Sequence, residues 1–326
     1  MTSGPVLWGD AIMDSAVASG PVKPASRLKV ALAYCTCFLL WGSTWSVVKV
    51  GLEDLPPLRF LGTRMLVAGL VLLPFARAAG QVDVRTGGRI AALGMLQLAA
   101  PFTLLFFAQQ WIPSSWAALL FSTFPVWLLF VGRILLPDQP LTPGKLLAAG
   151  LGVAGVVLLQ SSDIQGMELS GKALLGVGMT LFSVLLIAVA NVLVRRHMAH
   201  VPPRVLVFGQ ALSSAAPLLV LSFLLESNTD VTWTPRAVGA VLYLAIFGTA
   251  FTYLCLYWLL PRISLTALGI MALLDTLVAV VLGVAFLGEP LTLSLVVGGA
   301  LILGSAALAN ALPQQSPPRS DEQARG

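Results

Sequence analysis

Apolar residues in this chain do not alternate with polar ones but run together in long stretches, separated by short segments where Pro, Gly, Lys and Arg collect. About 20 apolar residues wound as an α-helix cover the roughly 30 Å hydrocarbon core of a bilayer, so each stretch predicts a membrane-spanning helix. The spans so read are 28–50, 58–76, 90–110, 114–136, 141–160, 172–194, 204–225, 236–260, 263–287 and 291–312. Pro56-Pro57, Pro113, Pro137, Pro140, Pro202-Pro203, Pro261 and Pro290 fall at their boundaries, where a helix starts or stops without losing an interior hydrogen bond. Pro74, Pro101, Pro125 and Pro217 fall within spans or near their ends, where they bend helices. The expected fold class is an all-α, polytopic membrane protein of ten transmembrane helices.

The pattern also echoes itself. Moving the second half back by 146 places Pro203 on Pro57, Arg195 on Lys49 and Gln210 on Arg64; moving it by 151 places Ile263 on Ile112, Gly283 on Gly132 and Glu289 on Asp138. Two five-helix repeats, 28–160 and 172–312, are the natural reading. Five is odd, so the second repeat enters the membrane from the opposite face, the inverted arrangement of transporters that alternate access around a midplane site. The stretches 1–27 and 313–326, rich in Pro, Gly, Gln or charge and lacking an apolar core, read as disordered tails rather than as a signal peptide.

Composition sharpens this. Of 326 residues, 57% are hydrophobic and only 10% charged, far below the roughly 25% of an ordinary soluble domain. The net charge of +5 is spread between apolar segments, which points to topology and away from nucleic acid. One side receives the loop cations from Lys23 and Arg27 through Arg77, Arg133, Arg195 and Arg262 to Arg325; the other receives Arg59, Lys172 and Arg236. Lys and Arg stay cytoplasmic, so both termini are expected there, in an inner (plasma) membrane protein with an even number of spans. Cys35, Cys37 and Cys255 fall inside spans and form neither a CxxC motif nor an extracellular pair.

Trp41-Gly42-Ser43-Thr44 followed by Lys49, the Leu55-Pro56-Pro57 turn, Arg64 in the second span and the Leu287-Gly288-Glu289-Pro290-Leu291 junction occur in that order. Together they make the chain, over roughly 28–312, resemble the EamA-type members of the drug/metabolite transporter superfamily. The resemblance implies exporters of amino acids, related metabolites or amphipathic drugs, working without ATP. Two positions depart from its pattern: Asp275-Thr276 stands where Glu-Pro is usual, keeping the acid and losing the proline, and Thr63-Arg64-Met65 replaces Leu-Arg-Phe.

Among candidate site residues, Asp275 stands near the middle of its span, where an acid costs about 2.5 to 3.5 kcal/mol. It either binds substrate or a proton, or it is a neutral, hydrogen-bonded residue holding helices together. Lys49 and Arg64 stand toward the outer ends of their spans, within snorkelling distance of the interface; Arg64 also has the reach to turn inward and grip a carboxylate. Trp41, Ser43 and Thr44 combine aromatic surface with hydroxyls, and Tyr253 adds a second aromatic wall, although packing and interfacial anchoring use the same residue types. Asn191 and Gln210 are polar at membrane depth, where bonding to another helix is their commoner use; Glu289 and Asp138 at span junctions read as helix caps.

His197 and His200 fall in a loop, which leaves no membrane-embedded Ser-His pair, and Asp275 alone cannot make an aspartyl dyad. No Walker motif or phosphate-cradling Gly loop occurs, so no enzyme activity, metal or other cofactor is expected. The expected function is a secondary transporter exporting amino acids or related small amphipathic metabolites. The partners are a solute, the bilayer and, through Asp275, protons. A multidrug or cationic-dye exporter is the alternative within transport, and a receptor or structural membrane protein the alternative outside it.

Overall fold

The structure, a computed structural model, describes residues 25–78, 82–112, 114–136, 141–159, 171–287 and 293–311. The two tails, beyond residues 25–27, and the junction residues Asp138, Gly288, Glu289, Pro290 and Leu291 lie outside the described residues. In chain order the helices are α1 (Arg27–Leu52), α2 (Pro57–Arg77), α3 (Val84–Ala108), α4 (Ser114–Phe121), α5 (Phe124–Leu135), α6 (Pro143–Leu159), α7 (Gly171–His197), α8 (Pro203–Leu225), α9 (Pro235–Leu259), α10 (Leu265–Leu287) and α11 (Leu293–Ala311). Six of them, α1, α2, α3, α7, α8 and α9, are long and apolar enough to cross a membrane; shorter apolar stretches lie within 119–135, 143–158, 265–279 and 296–309.

Local chemistry sets the ends. Ser26, Asp83 and Thr234 cap α1, α3 and α9, each side chain accepting a backbone N–H three residues on. α2 and α8 instead begin with Pro57 and Pro203 at the first helical position, where the missing N–H costs nothing. The fourth expected span is broken. Pro125, the second residue of α5, has no N–H with which to continue the ladder to Phe121 O, and Ser122 and Thr123 form the break, donating their hydroxyls to Leu119 and Leu120 O at 2.6 and 2.7 Å.

Two helices widen at their centres. α3 passes through a π-helical turn at Met95–Ala99 and α9 through one at Ile246–Phe251. In α3 the turn precedes Pro101, which has no N–H to give a regular ladder. In α9 the position offset by 151 is Thr252, whose backbone N–H and hydroxyl both donate to the Phe247 carbonyl across the wider turn.

Packing is extensive between α2 and α8 and between α6 and α11; α1 lies against α9 and α10, and α7 against α3 and α5. Small residues make the closest approach possible: a Cβ on Gly155 of α6 would stand 2.7 Å from Gly298 O of α11. The outside is apolar, with Phe75, Ile134, Phe223, Leu225 and Leu293 all more than half exposed, while Arg64, Gln97, Asn191, Gln210 and Asp275 are buried. That inside-out distribution suits a hydrocarbon solvent.

Candidate functional site

Four of these buried polar side chains, Arg64, Gln97, Asn191 and Asp275, converge on a central cavity bounded by α1, α2, α3, α4, α5, α7, α9 and α10, with about 770 Å³ free of protein atoms, its mouth included. Trp41, Thr44 and Trp45 of α1, Arg64 of α2, Gln97 of α3, Asn191 of α7, Tyr253 of α9 and Asp275 of α10 all contribute to its wall.

Arg64 is 2% exposed. It stands about two turns into α2, so its stem carries the guanidinium inward and not to the interface. There Nε donates to Thr249 Oγ1 at 2.8 Å, a terminal nitrogen donates to Gly248 O at 3.4 Å, and Cζ lies 5.3 Å from the centre of the Phe102 ring. The two oxygens belong to the π-helical turn of α9, so the widened turn serves as the cradle of the cation. Among the described residues Arg64 has no carboxylate partner. Lys49, by contrast, is exposed, as snorkelling requires.

Asp275 is 3% exposed and has no cationic partner among the described residues. Thr276 Oγ1 lies 3.3 Å from its Oδ1 and 3.2 Å from Ala272 O. Its backbone is pressed against α1: a Cβ on Gly42 would stand 2.5 Å from the Asp275 carbonyl oxygen. Gly42 therefore sets how near the acid comes to the α1 wall.

The aromatic wall is ordered by edge-to-face contacts, Trp41 on Tyr253 with ring centres 5.6 Å apart and Tyr253 on Tyr257 at 5.6 Å. Among the described residues Gln97 Oε1 and Asn191 Oδ1 are buried with no hydrogen-bond partner, while Asn191 Nδ2 donates to Ile187 O at 2.9 Å.

Of the residues singled out by sequence, Trp41, Thr44, Arg64, Tyr253 and Asp275 meet in this cavity. Ser43 does not line it: its hydroxyl donates to Leu40 O at 2.7 Å and lies 2.6 Å from Tyr243 Oη, which ties α1 to α9. Gln210 bonds Tyr257 and likewise stands outside the cavity lining. Gln97, Gln109 and Thr249 were missed; a lone amide or hydroxyl at membrane depth in spans three and eight was the available signal.

The model of the EamA-like transporter family matches residues 28–161 and again 174–311. The chain is 24% identical over 278 residues to the uncharacterized transporter YoaV of Bacillus subtilis, covering 84% of this chain and 94% of that one. It is 29% identical over 261 residues to the uncharacterized inner membrane transporter YedA of Escherichia coli K12, covering 78% and 82%. A protein of Salmonella typhimurium named a probable amino-acid metabolite efflux pump is 27% identical over 275 residues, covering 81% and 89%. One solved crystal structure superposes with a TM-score of 0.75 at 23% identity, over 87% of this chain and 97% of that chain, a likeness of fold.

Proposed function

Because the chain belongs to the EamA-like transporter family, we propose that it exports an amino acid or a related small zwitterion through the cavity between Arg64 and Asp275. One observation carries the reading: a side chain built to be a cation and one built to be an anion line the same buried cavity, and neither is paired with an opposite charge among the described residues. An α-amino acid brings both missing charges. Its carboxylate would take the Arg64 guanidinium bidentately. Its ammonium would take Asp275, with the unpartnered amide oxygens of Gln97 and Asn191 as further acceptors.

The architecture proposed for this task is ten spans in two inverted repeats, 28–160 and 172–312, in the inner membrane with both termini cytoplasmic. Support comes from correspondence within the chain. Helices α3 and α9 match at both ends and at their π-helical turns with one offset of 151, as Val84 to Pro235 and Ala108 to Leu259. Packing is symmetric under the same exchange: α2 pairs with α8 and α6 with α11, while α1 on α10 mirrors α7 on α5 and α1 on α9 mirrors α7 on α3. Rocking of one repeat against the other would expose the cavity to each side in turn.

Uptake of a labelled amino acid into inverted proteoliposomes tests the reading. Arg64→Gln is expected to abolish substrate binding; undiminished binding would remove the carboxylate clamp. Asp275→Asn is expected to flatten the pH dependence of flux, and a profile identical to wild type would end the case for proton coupling. The aromatic wall favours a second reading, export of a cationic dye held by Trp41, Tyr253 and Asp275. Dye efflux that survives Arg64→Gln while amino acids fail to move would establish it in place of the first.

A further inference from the structure

Helices α2 and α8 both begin with a Pro-Pro pair, yet their first turns are satisfied in opposite ways. At Pro56-Pro57 the N–H groups of Leu58 and Arg59 donate to Glu226 Oε1 and Oε2 at 2.8 and 2.9 Å, so the chain's own carboxylate fills the notch. At Pro202-Pro203 the notch opens into a cavity with about 1190 Å³ free of protein atoms, mouth included, lined by Arg195, His200, Trp258 and Arg262 and, among the described residues, by no carboxylate. The Arg262 guanidinium lies 4.3 Å over the Trp258 ring and donates Nη1 to the Trp258 carbonyl, while its Nε is buried with no partner. A neighbouring cavity shares Pro202, Pro203 and Trp258, adds Lys29 and Arg204, and runs along Ala33 and Leu254 of α1 and α9.

We propose that this notch binds the phosphate of an anionic phospholipid, with an acyl chain along the groove between α1 and α9. In the first turn of α8 the Val205 N–H already donates to Pro202 O at 2.9 Å, so of the two N–H groups matching those that Glu226 takes in α2 the phosphate would meet that of Arg204, at a helix N-terminus whose dipole favours an anion. The Arg262 guanidinium lies over the indole, and the donors it does not give to the Trp258 carbonyl are left for phosphate oxygens. The general bias of cytoplasmic loops toward Lys and Arg accounts for cations at this end; it does not account for their gathering around an acid-free cavity with a buried, unused N–H. Continuity with an apolar groove selects a lipid over a soluble anion. The inference rests on the proposed orientation, which places this notch at the cytoplasmic interface.

The test uses the full chain extracted from vesicles of equimolar phosphatidylcholine and phosphatidylglycerol, with retained lipid read by native mass spectrometry. Wild type is expected to retain phosphatidylglycerol preferentially, and Arg262→Gln to lower that preference about fivefold, the loss of one basic contact at a membrane surface. Arg204→Gln, at an exposed position, is expected to lower it too and serves if Arg262→Gln does not fold. No preference in wild type, or one untouched by the variants that fold, overturns the proposal. So does inorganic phosphate that raises the melting temperature as much as phosphatidylglycerol does, which would mark a free-anion site. Amino-acid flux in vesicles of the same equimolar mixture reads the transport proposal separately: absent flux with lipid preference intact strikes transport and leaves this site standing.

Discussion

The two ends of the bundle are built on the same backbone plan and finished with opposite charge. At the Pro56 end, Glu226 bonds the first turn of α2 and Ser222. Beside it, Asp54 takes Arg236 at 2.7 and 2.8 Å and the Thr234 hydroxyl at 2.5 Å, and Thr232 N donates to Asp54 O. At the Pro202 end the corresponding contacts are arginines on carbonyls, Arg195 on Ile263 O at 2.7 Å and Arg196 on Leu135 O at 2.6 Å. One end is tied by carboxylates that belong to the chain; the other is tied by cations on carbonyls at the end of α5 and in the connection from α9 to α10. A rocking mechanism needs contacts that break at one face while the other opens. The difference teaches that here the two faces are held by different chemistry and would answer to different perturbations.

The comparison breaks most readily at Glu226. Glu226→Ala leaves two N–H groups of α2 without their acceptor and should cost about 2–3 kcal/mol, measured by denaturation in detergent. Arg195→Gln at the opposite end should cost about 1–2 kcal/mol, because one charge-assisted bond to a single carbonyl is lost. Arg236→Gln removes an exposed, solvent-screened bridge and should cost the least stability of the three. Its larger effect should be on access, seen as faster labelling of a cysteine placed at Thr232. A ranking in which Arg236→Gln costs more than Glu226→Ala would refute the view that buried capping, and not the surface bridge, ties the Pro56 end.

The smallest effect sharpens the contrast by being absent. Asp54 is held down at about 2, first by the bond from Arg236 and then by the Thr234 hydroxyl. A carboxylate depressed in the folded state stabilises above its unfolded value of about 3.9, and that contribution is lost as pH falls through the folded value. Between about pH 5 and 8 the melting difference between wild type and Asp54→Asn should therefore stay constant. Any pH dependence of flux in that window then arises away from this latch.

Apolar runs and boundary prolines made the helices legible in the sequence, because twenty apolar residues in a row have few other uses. The isolated charges in those runs made Arg64 and Asp275 legible, since a charge at depth must be compensated. Ser43 misled because a hydroxyl on a span serves packing as readily as a solute, and only its partner, Tyr243, two hundred residues away, decides which. Gln97 gave little signal as one amide in an otherwise apolar span. Glu226 read as loop: its role depends on a helix start 168 residues earlier in the chain, beyond the reach of any local pattern. The π-helical turns were hidden for a related reason, since Pro101 announced a bend and nothing in 246–251 announced its counterpart.

Those widened turns carry a consequence for how such a chain can change. A π-helical turn holds one residue more than the regular ladder needs, so removing one lets the ladder close while the residues on either side keep their facing. A single-codon deletion inside 95–99 or 246–251 would therefore alter the turn alone, which carries Gln97 in the first case and the oxygens that hold Arg64 in the second. Lineages could thereby exchange one lining for another in a single step, without disturbing either end of the helix.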